Sequence, residues 1–262
     1  MTTPLLKLMG VDDDAPAPIV RPADDHYRSP PETLRALASV VDLSAGVWEC
    51  CAGDGIQAAV AADLIGADAV LASSIHPPAV TYHPVEAADF LEAKTLRRRN
   101  IVTNPPYSML HGKRMAKAGA ATRIARHALE LLEAAGDDAG ALCLLLDLRF
   151  SLSEIRNEPG GLLHEFPPTV IHAFADRVTM YPAGAGGAER TNGTQAFAWF
   201  IWEGPHYRRP GADTPLRRVL NSRAFRHPDD IARFNLPVLK GGRRRRPDRL
   251  TGISATGGAN GA

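Results

Sequence analysis

The chain has 262 residues, 45% of them hydrophobic and 23% charged, and a net charge of +1. That length builds one well-packed domain with additions and excludes two large ones, and the composition is that of an ordinary soluble globular protein. Apolar stretches such as Ala141 to Leu146 are far too short to span a membrane, and the overall charge by itself predicts no polyanionic partner.

Residues 1–25 are rich in Pro and Asp without periodicity and are expected to form a mobile arm. They lack a basic region followed by an apolar core, so no signal peptide is expected. The cysteines are Cys50, Cys51 and Cys143, with no Cys-x-x-Cys pair. That pattern suits a reduced, cytoplasmic protein better than a disulfide scaffold or a zinc site, and no metal is expected. Ser29-Pro30-Pro31-Glu32 has the form of a helix start. Ser stands at the cap with Glu three residues on, and Pro31 falls in the first turn. Leu34, Leu37, Val40 and Val41 then supply one apolar face.

Strand and helix signals alternate from there. Val47–Cys50 reads as a strand, Ile56–Ile65 as an Ala-rich helix and Ala69–Ala72 as a second strand. Ile101–Thr103 is a later strand and Arg114–Ala135 a helical tract. Ala141–Leu148, apolar but for Asp147, reads as a strand buried on both faces, and Val170–Phe174 and Gln195–Trp202 are further strands. Alternation of this kind predicts an α/β fold with a mostly parallel sheet covered by helices on both faces. From Pro205 onward thirteen Arg and Lys stand against four Asp and Glu. This stretch therefore carries +9 and the remainder of the chain −8. Residues 205–262 are expected to be a basic, partly disordered tail suited to a polyanion, following a domain over residues 26–204.

Two loops carry chemistry. Asn104-Pro105-Pro106-Tyr107 follows the Ile101–Thr103 strand, and two prolines end a strand and stiffen its loop. The Asn side-chain oxygen and the Pro105 carbonyl are two acceptors close together, suited to both hydrogens of an exocyclic amine, and the Tyr ring can stack on the group bearing it. Glu49-Cys50-Cys51-Ala52-Gly53-Asp54-Gly55 joins the first strand to the Ile56 helix. Its glycines permit close approach to a ligand at a helix N-terminus. The loop is neither a phosphate loop, lacking Gly-Lys-Ser/Thr, nor a dinucleotide fingerprint, since Ala58 stands at the third glycine.

The order of these motifs, with Tyr27-x-Ser29-Pro30 before the glycine loop and Asp89-Phe90 between it and Asn104, resembles the adenine-N6 DNA methyltransferases that use S-adenosylmethionine. The likeness is to the compact phage and prophage forms and covers roughly residues 26–203. It implies a Rossmann-like class I methyltransferase fold, with Tyr27, Pro30, Glu49, Gly53 and Gly55 at the cofactor's methionine end and Asp89 and Phe90 at its adenine. It also implies that Asn104, Pro105, Pro106 and Tyr107 form the catalytic loop, with Asn104 touching the cofactor as well. The ribose position, usually acidic in the family, is Ser74 here, which forms no charge-assisted bidentate bond. Arg97, Arg98, Arg99, Lys113 and Arg114 beside the loop, and Arg243, Arg244, Arg245 and Arg246 in the tail, are expected to contact nucleic acid. DNA is the expected partner. RNA adenine, a protein glutamine, or non-catalytic nucleic-acid binding are the alternatives.

Overall fold

The computed structural model describes residues 27–107, 109–110, 113–114, 119–182, 195–204 and 207–238. Eight strands form its main sheet: β1 (Val47–Glu49), β2 (Val70–Ser74), β3 (Glu86–Ala87), β4 (Asn100–Thr103), β5 (Ala141–Asp147), β6 (Val170–Phe174), β7 (Phe197–Glu203) and β8 (Leu216–Leu220). Their spatial order is β8-β6-β7-β5-β4-β1-β2-β3. All neighbours run parallel except β7, which lies antiparallel between β5 and β6. Three longer helices cover the sheet: α1 (Pro31–Ala38), α2 (Ile56–Ile65) and α3 (Gly119–Ala135). None of the described helices is long and apolar enough to cross a membrane.

The expected doubly covered sheet is present, and β5 shows why its sequence is so largely apolar. Leu142, Leu144 and Leu146 pack with Ile124, Leu129 and Leu132 of α3. Cys143 and Leu145 point the other way, into a cluster with Leu34, Leu37 and Val60 of α1 and α2. With both faces dry, period-two alternation has no polar side to show. The indoles buried in these layers keep their N–H groups paired: Trp48 with Ser73 Oγ at 2.9 Å, Trp199 with the Thr33 carbonyl at 3.0 Å and Trp202 with the Phe166 carbonyl at 2.8 Å.

Three local expectations are corrected. Pro31 does open α1, but no capping box forms, because Pro30 occupies the cap and no side chain caps the helix. Ser29 Oγ accepts from Asn104 instead, and Glu32 pairs with Arg226 at 2.8 Å. The helical tract begins at Gly119 rather than Arg114, since Lys113–Arg114 pairs with Met109–Leu110 in a short antiparallel ladder. Finally, the expected tail does not begin at Pro205. Residues 207–238 belong to the domain, with β8 pairing on β6 and Tyr207, Phe234 and Leu236 buried. The arginines of this stretch mask an interleaved apolar set that docks on the sheet and on α1. The expected N-terminal arm and the remainder of the tail lie outside the described residues.

The docked segment is held by Asp230, whose carboxylate takes two 2.7 Å bonds from Arg35 of α1. Burial works to raise the Asp230 pKa, but the bonds from Arg35 and the His227 amide hold it below the usual carboxylate range. Both side chains are 8% exposed, so removing one strands a charge away from water. Arg35→Ala is therefore expected to cost on the order of 3–5 kcal/mol, read as a lowered midpoint of chemical denaturation.

Candidate active site at the carboxyl ends of the central strands

After β1 the chain crosses to β2 and β3 on one side, whereas β4 and β5 lie on the other. Loops leaving β1 and β4 therefore part above the sheet, and such a reversal of strand order opens a crevice at the carboxyl ends. The crevice is a cleft of about 520 Å3, the size of a small-molecule site. Of the residues expected from sequence, Tyr27, Glu49, Gly53, Ser74, Asp89, Phe90, Asn104, Pro105, Pro106 and Tyr107 line it. Pro30 and Gly55 stand just behind. The Pro30 carbonyl accepts from Thr33 and Gln57, and Gly55 caps α2 with φ +79°. A Cβ at Gly55 would meet Val85 Cγ2 at 3.1 Å and the His83 amide at 3.2 Å, so both the turn and the packing require glycine there.

The Asn104 amide is held against Ser29. Its Nδ2 donates to Ser29 Oγ at 3.0 Å, and Oδ1 is buried without a hydrogen-bond partner. A buried acceptor left open is costly in a native fold and marks a place for a donor from outside. Tyr107 is anchored at its tip, its hydroxyl accepting from the Asp147 amide at 2.6 Å, and its carbonyl receives the Ala120 N–H at the start of α3. On the opposite wall Asp89 Oδ1 accepts from the Leu91 amide at 2.9 Å. The Phe90 ring is held edge-on by Trp48 and His127, each at 5.1 Å between centroids.

Glu49 is 3% exposed and accepts from Thr103 Oγ1 at 2.7 Å. Burial, with a smaller push from the Asp54 charge and against the Thr103 bond, raises its pKa to about 8. Cys50 is buried and its thiol is pushed up chiefly by desolvation, which fits a small packed side chain and not a nucleophile. Among the described residues no cluster of His, Cys, Asp or Glu is arranged to hold a metal ion.

Arg97, Arg98 and Arg99, expected beside the Asn-Pro-Pro-Tyr loop, do not line the cleft. Arg98 and Arg99 sit at the amino ends of the strands, bonded to the Asp68 carbonyl at 3.2 Å and the Asp137 carbonyl at 2.7 Å. Arg97 pairs with Glu86 and lies over the Trp48 ring. None of the three lines the cleft, because each precedes β4 while the loop follows it. The side chains of Lys113 and Arg114, and the whole of Arg243–Arg246, lie outside the described residues. Arg149 takes a place sequence reasoning missed. It lines the cleft, is 72% exposed, and is gripped by Asp147 at 2.7 Å.

Sequence reasoning also passed over Arg28 and Gln57, and gave Ser29 the role of a helix cap. Arg28 is buried, with Nε on Asp54 Oδ2 at 2.6 Å and further bonds to Tyr82 and to the Phe234 and Asn235 carbonyls. Gln57 Nε2 donates to the Ser29 and Pro30 carbonyls at 3.1 and 3.0 Å. One signal was available: an Arg inside the Tyr-x-Ser-Pro motif and an Asp inside the glycine loop are opposite charges in two segments bound for the same cleft.

No protein-family model matches the chain, and no curated protein matches its sequence. Among solved structures, a candidate class I S-adenosylmethionine-dependent methyltransferase from Listeria monocytogenes superposes with a TM-score of 0.51 at 10% identity, over 88% of this chain and 74% of that one. A candidate RNA methyltransferase from Pyrococcus horikoshii aligns at TM-score 0.46 and 13% identity, over 70% of this chain and 89% of that one. The methyltransferase subunit of a type I restriction-modification system from Streptococcus thermophilus gives 0.46 and 13%, over 70% of this chain and 46% of the subunit. The fold is thus the Rossmann-like fold of the class I methyltransferases, with the antiparallel β7 inside the sheet and β8 added at its edge.

The raised pKa of Glu49 has a sign that can be measured. The folded chain binds its proton more tightly than the unfolded chain, so the stability this group contributes is full below the ordinary glutamate pKa and declines as pH rises to about 8. Glu49→Gln is expected to remove this decline, which amounts to at most about 1.4 kcal/mol per pH unit, in denaturation curves of the ligand-free protein across that range.

Proposed function

We propose that the chain transfers the methyl group of S-adenosylmethionine to the N6 amine of adenine in DNA. The observation that carries this reading is the open, buried Oδ1 of Asn104, on a rigid Asn-Pro-Pro-Tyr loop at the carboxyl end of a central strand. Support for the cofactor comes from the residues present. The glycine turn leaves room for close approach, Glu49 offers a carboxyl to a cation, and Asp89 and Phe90 offer an acceptor and a ring face to a planar base.

When bound, the sulfonium supplies a methyl group already activated for transfer. The protein's part is to aim the amine. Asn104 Oδ1 and the Pro105 carbonyl accept its two hydrogens and turn the nitrogen lone pair toward the methyl. Positioning of this kind is worth up to about 7–11 kcal/mol of barrier. Tyr107, tethered through its hydroxyl to Asp147, offers its ring to the target base, which leaves the duplex to enter the cleft. The proton lost from nitrogen passes to solvent.

DNA is favoured over RNA or a protein glutamine by the Glu-x-x-Ala-Gly-Asp-Gly form of the glycine loop and by the basic C-terminal stretch. One observation favours a second reading, a nucleic-acid-binding relative without activity: Ser74, half-buried at the end of β2, offers the ribose a neutral hydroxyl in place of a carboxylate.

Incubation with radiolabelled S-adenosylmethionine and DNA, RNA or protein, followed by nucleoside analysis, is expected to place label on N6-methyladenine of DNA. Label on RNA or glutamine, or none, overturns the reading accordingly. Asn104→Ala is expected to lower transfer by a hundred- to a thousand-fold, about the loss seen when one preorganised polar contact is removed, while cofactor binding persists. Affinity for DNA is expected to fall steeply between about 50 and 200 mM salt, and a flat response would rule out a phosphate-contacting role for the basic stretch.

A further inference from the structure

Asn104 is not the only buried amide in the cleft with an open oxygen. Gln57, in the first turn of α2, is 8% exposed and lines the same cavity. Its Nε2 donates to two backbone carbonyls. Carbonyls only accept, so the amide cannot be flipped and its oxygen is the atom left over. That oxygen, Oε1, is buried without a hydrogen-bond partner. Ser29 sets both amides: its Oγ takes the Asn104 amide and its carbonyl takes that of Gln57. One residue thus leaves two side-chain carbonyls open in the same cleft.

We propose that Gln57 is a cofactor-binding residue whose Oε1 accepts a hydrogen bond from the α-ammonium group at the amino-acid end of S-adenosylmethionine. The inference rests on the cofactor assignment above and follows from the order of groups in that molecule. Its methyl is carried on sulfur, between the ribose and the amino-acid chain. If the adenine lies at Asp89 and Phe90 and the methyl faces Asn104, the amino-acid end lies beyond the methyl. Gln57 joins that region through Ser29. An ammonium carries three N–H donors and needs several acceptors to leave water. Glu49 is one. Asp54 is already held by Arg28 at 2.6 Å, so it is not a free charge for the ligand. Gln57 supplies a neutral acceptor that has no competing partner among the described residues. The contact also bears on Ser74, since a chain with no carboxylate at the ribose has reason to draw affinity from the opposite end.

The test is calorimetric and needs no turnover. Full-length protein, wild type and Gln57→Leu, is titrated with S-adenosylhomocysteine and with 5′-methylthioadenosine, which keeps the adenine, ribose and sulfur but has no amino-acid group. The expected result is a loss of roughly 10- to 100-fold in affinity for S-adenosylhomocysteine, with affinity for 5′-methylthioadenosine unchanged. Gln57→Glu, which keeps an acceptor but loses the donors to Ser29 and Pro30, is expected to retain S-adenosylhomocysteine binding better than Gln57→Leu. Equal weakening toward both ligands would assign Gln57 a purely structural role and overturn the proposal, as would unchanged binding of both. A wild type that binds neither ligand defeats the cofactor assignment itself, an outcome distinct from either of these.

Discussion

One buried guanidinium organises the cleft. Arg28, 7% exposed, joins four segments far apart in sequence: its own short strand paired with Tyr181–Pro182, the glycine loop through Asp54, the stretch before β3 through Tyr82, and the chain beyond residue 233 through the Phe234 and Asn235 carbonyls. A cation at this depth is tolerable only because every direction offers an acceptor. Its removal would leave Asp54 charged and take the donor from the Asn235 carbonyl, while the Phe234 carbonyl would keep the Tyr82 hydroxyl at 2.9 Å. Arg suits the position better than Lys, because a planar fork of five donors can serve several fixed acceptors at once. The consequence for function is that Asp54, inside a loop rich in glycine, is held in one place. A glycine turn that bends freely in the unfolded chain is preorganised in the folded one.

The same logic of satisfied and unsatisfied groups distinguishes scaffold from site. Buried polar groups of the central strands find partners within the protein: the Asn100 amide serves the Gly46 carbonyl and the Ala141 amide, and the tryptophan indoles are all paired, whereas His172 Nδ1 on β6 and His127 Nε2 on α3 have no partner among the described residues. In the cleft the pattern reverses. Ser29 and its neighbours satisfy the donor ends of Asn104 and Gln57 and leave the acceptor ends open. Both amides are therefore tethered, and that of Gln57 is oriented, before any ligand arrives, so little entropy remains to be lost when donors enter. That is the preorganisation a positioning catalyst requires.

Where the sequence was legible, one local rule decided the outcome. Ile56–Ile65 was readable to the residue, since the Gly55 turn starts the helix and Gly66 ends it. The Ala141–Asp147 strand was readable because seven successive residues are fully buried in the sheet. Legibility failed where a distant partner competed with a local one. Ser29 has the chemistry of a helix cap, but Asn104, 75 residues away, takes its hydroxyl. Arg97–Arg99 form a basic run near the Asn-Pro-Pro-Tyr loop in sequence, yet a strand lies between them, and its length leaves Arg98 and Arg99 at the other end of the sheet, while Arg97 turns to Glu86 and Trp48. The segment after Pro205 was the largest miss. Its charge is plain in the sequence, but charge is a property of surfaces, and Phe234 and Leu236 are what decide its placement.

The two ends of the cleft handle polarity differently, and Glu49 explains how. A carboxyl whose pKa is about 8 is largely protonated at neutral pH, so the empty cleft does not hold a naked buried charge. A cation brought close favours the ionised form and draws the pKa back down. Full charge complementarity would thus arise only with a cationic ligand in place, and the folded chain does not bear its cost alone. At the other end the half-buried Ser74 and the exposed His76 line the cleft beside water, where a carboxylate would be screened and each hydrogen bond competes with solvent. Discrimination by charge is therefore concentrated where water is excluded, around Glu49, Asn104 and Gln57. The Ser74 hydroxyl, beside water, is worth less than groups deeper in the cleft, whose hydrogen bonds gain from the absence of competing solvent.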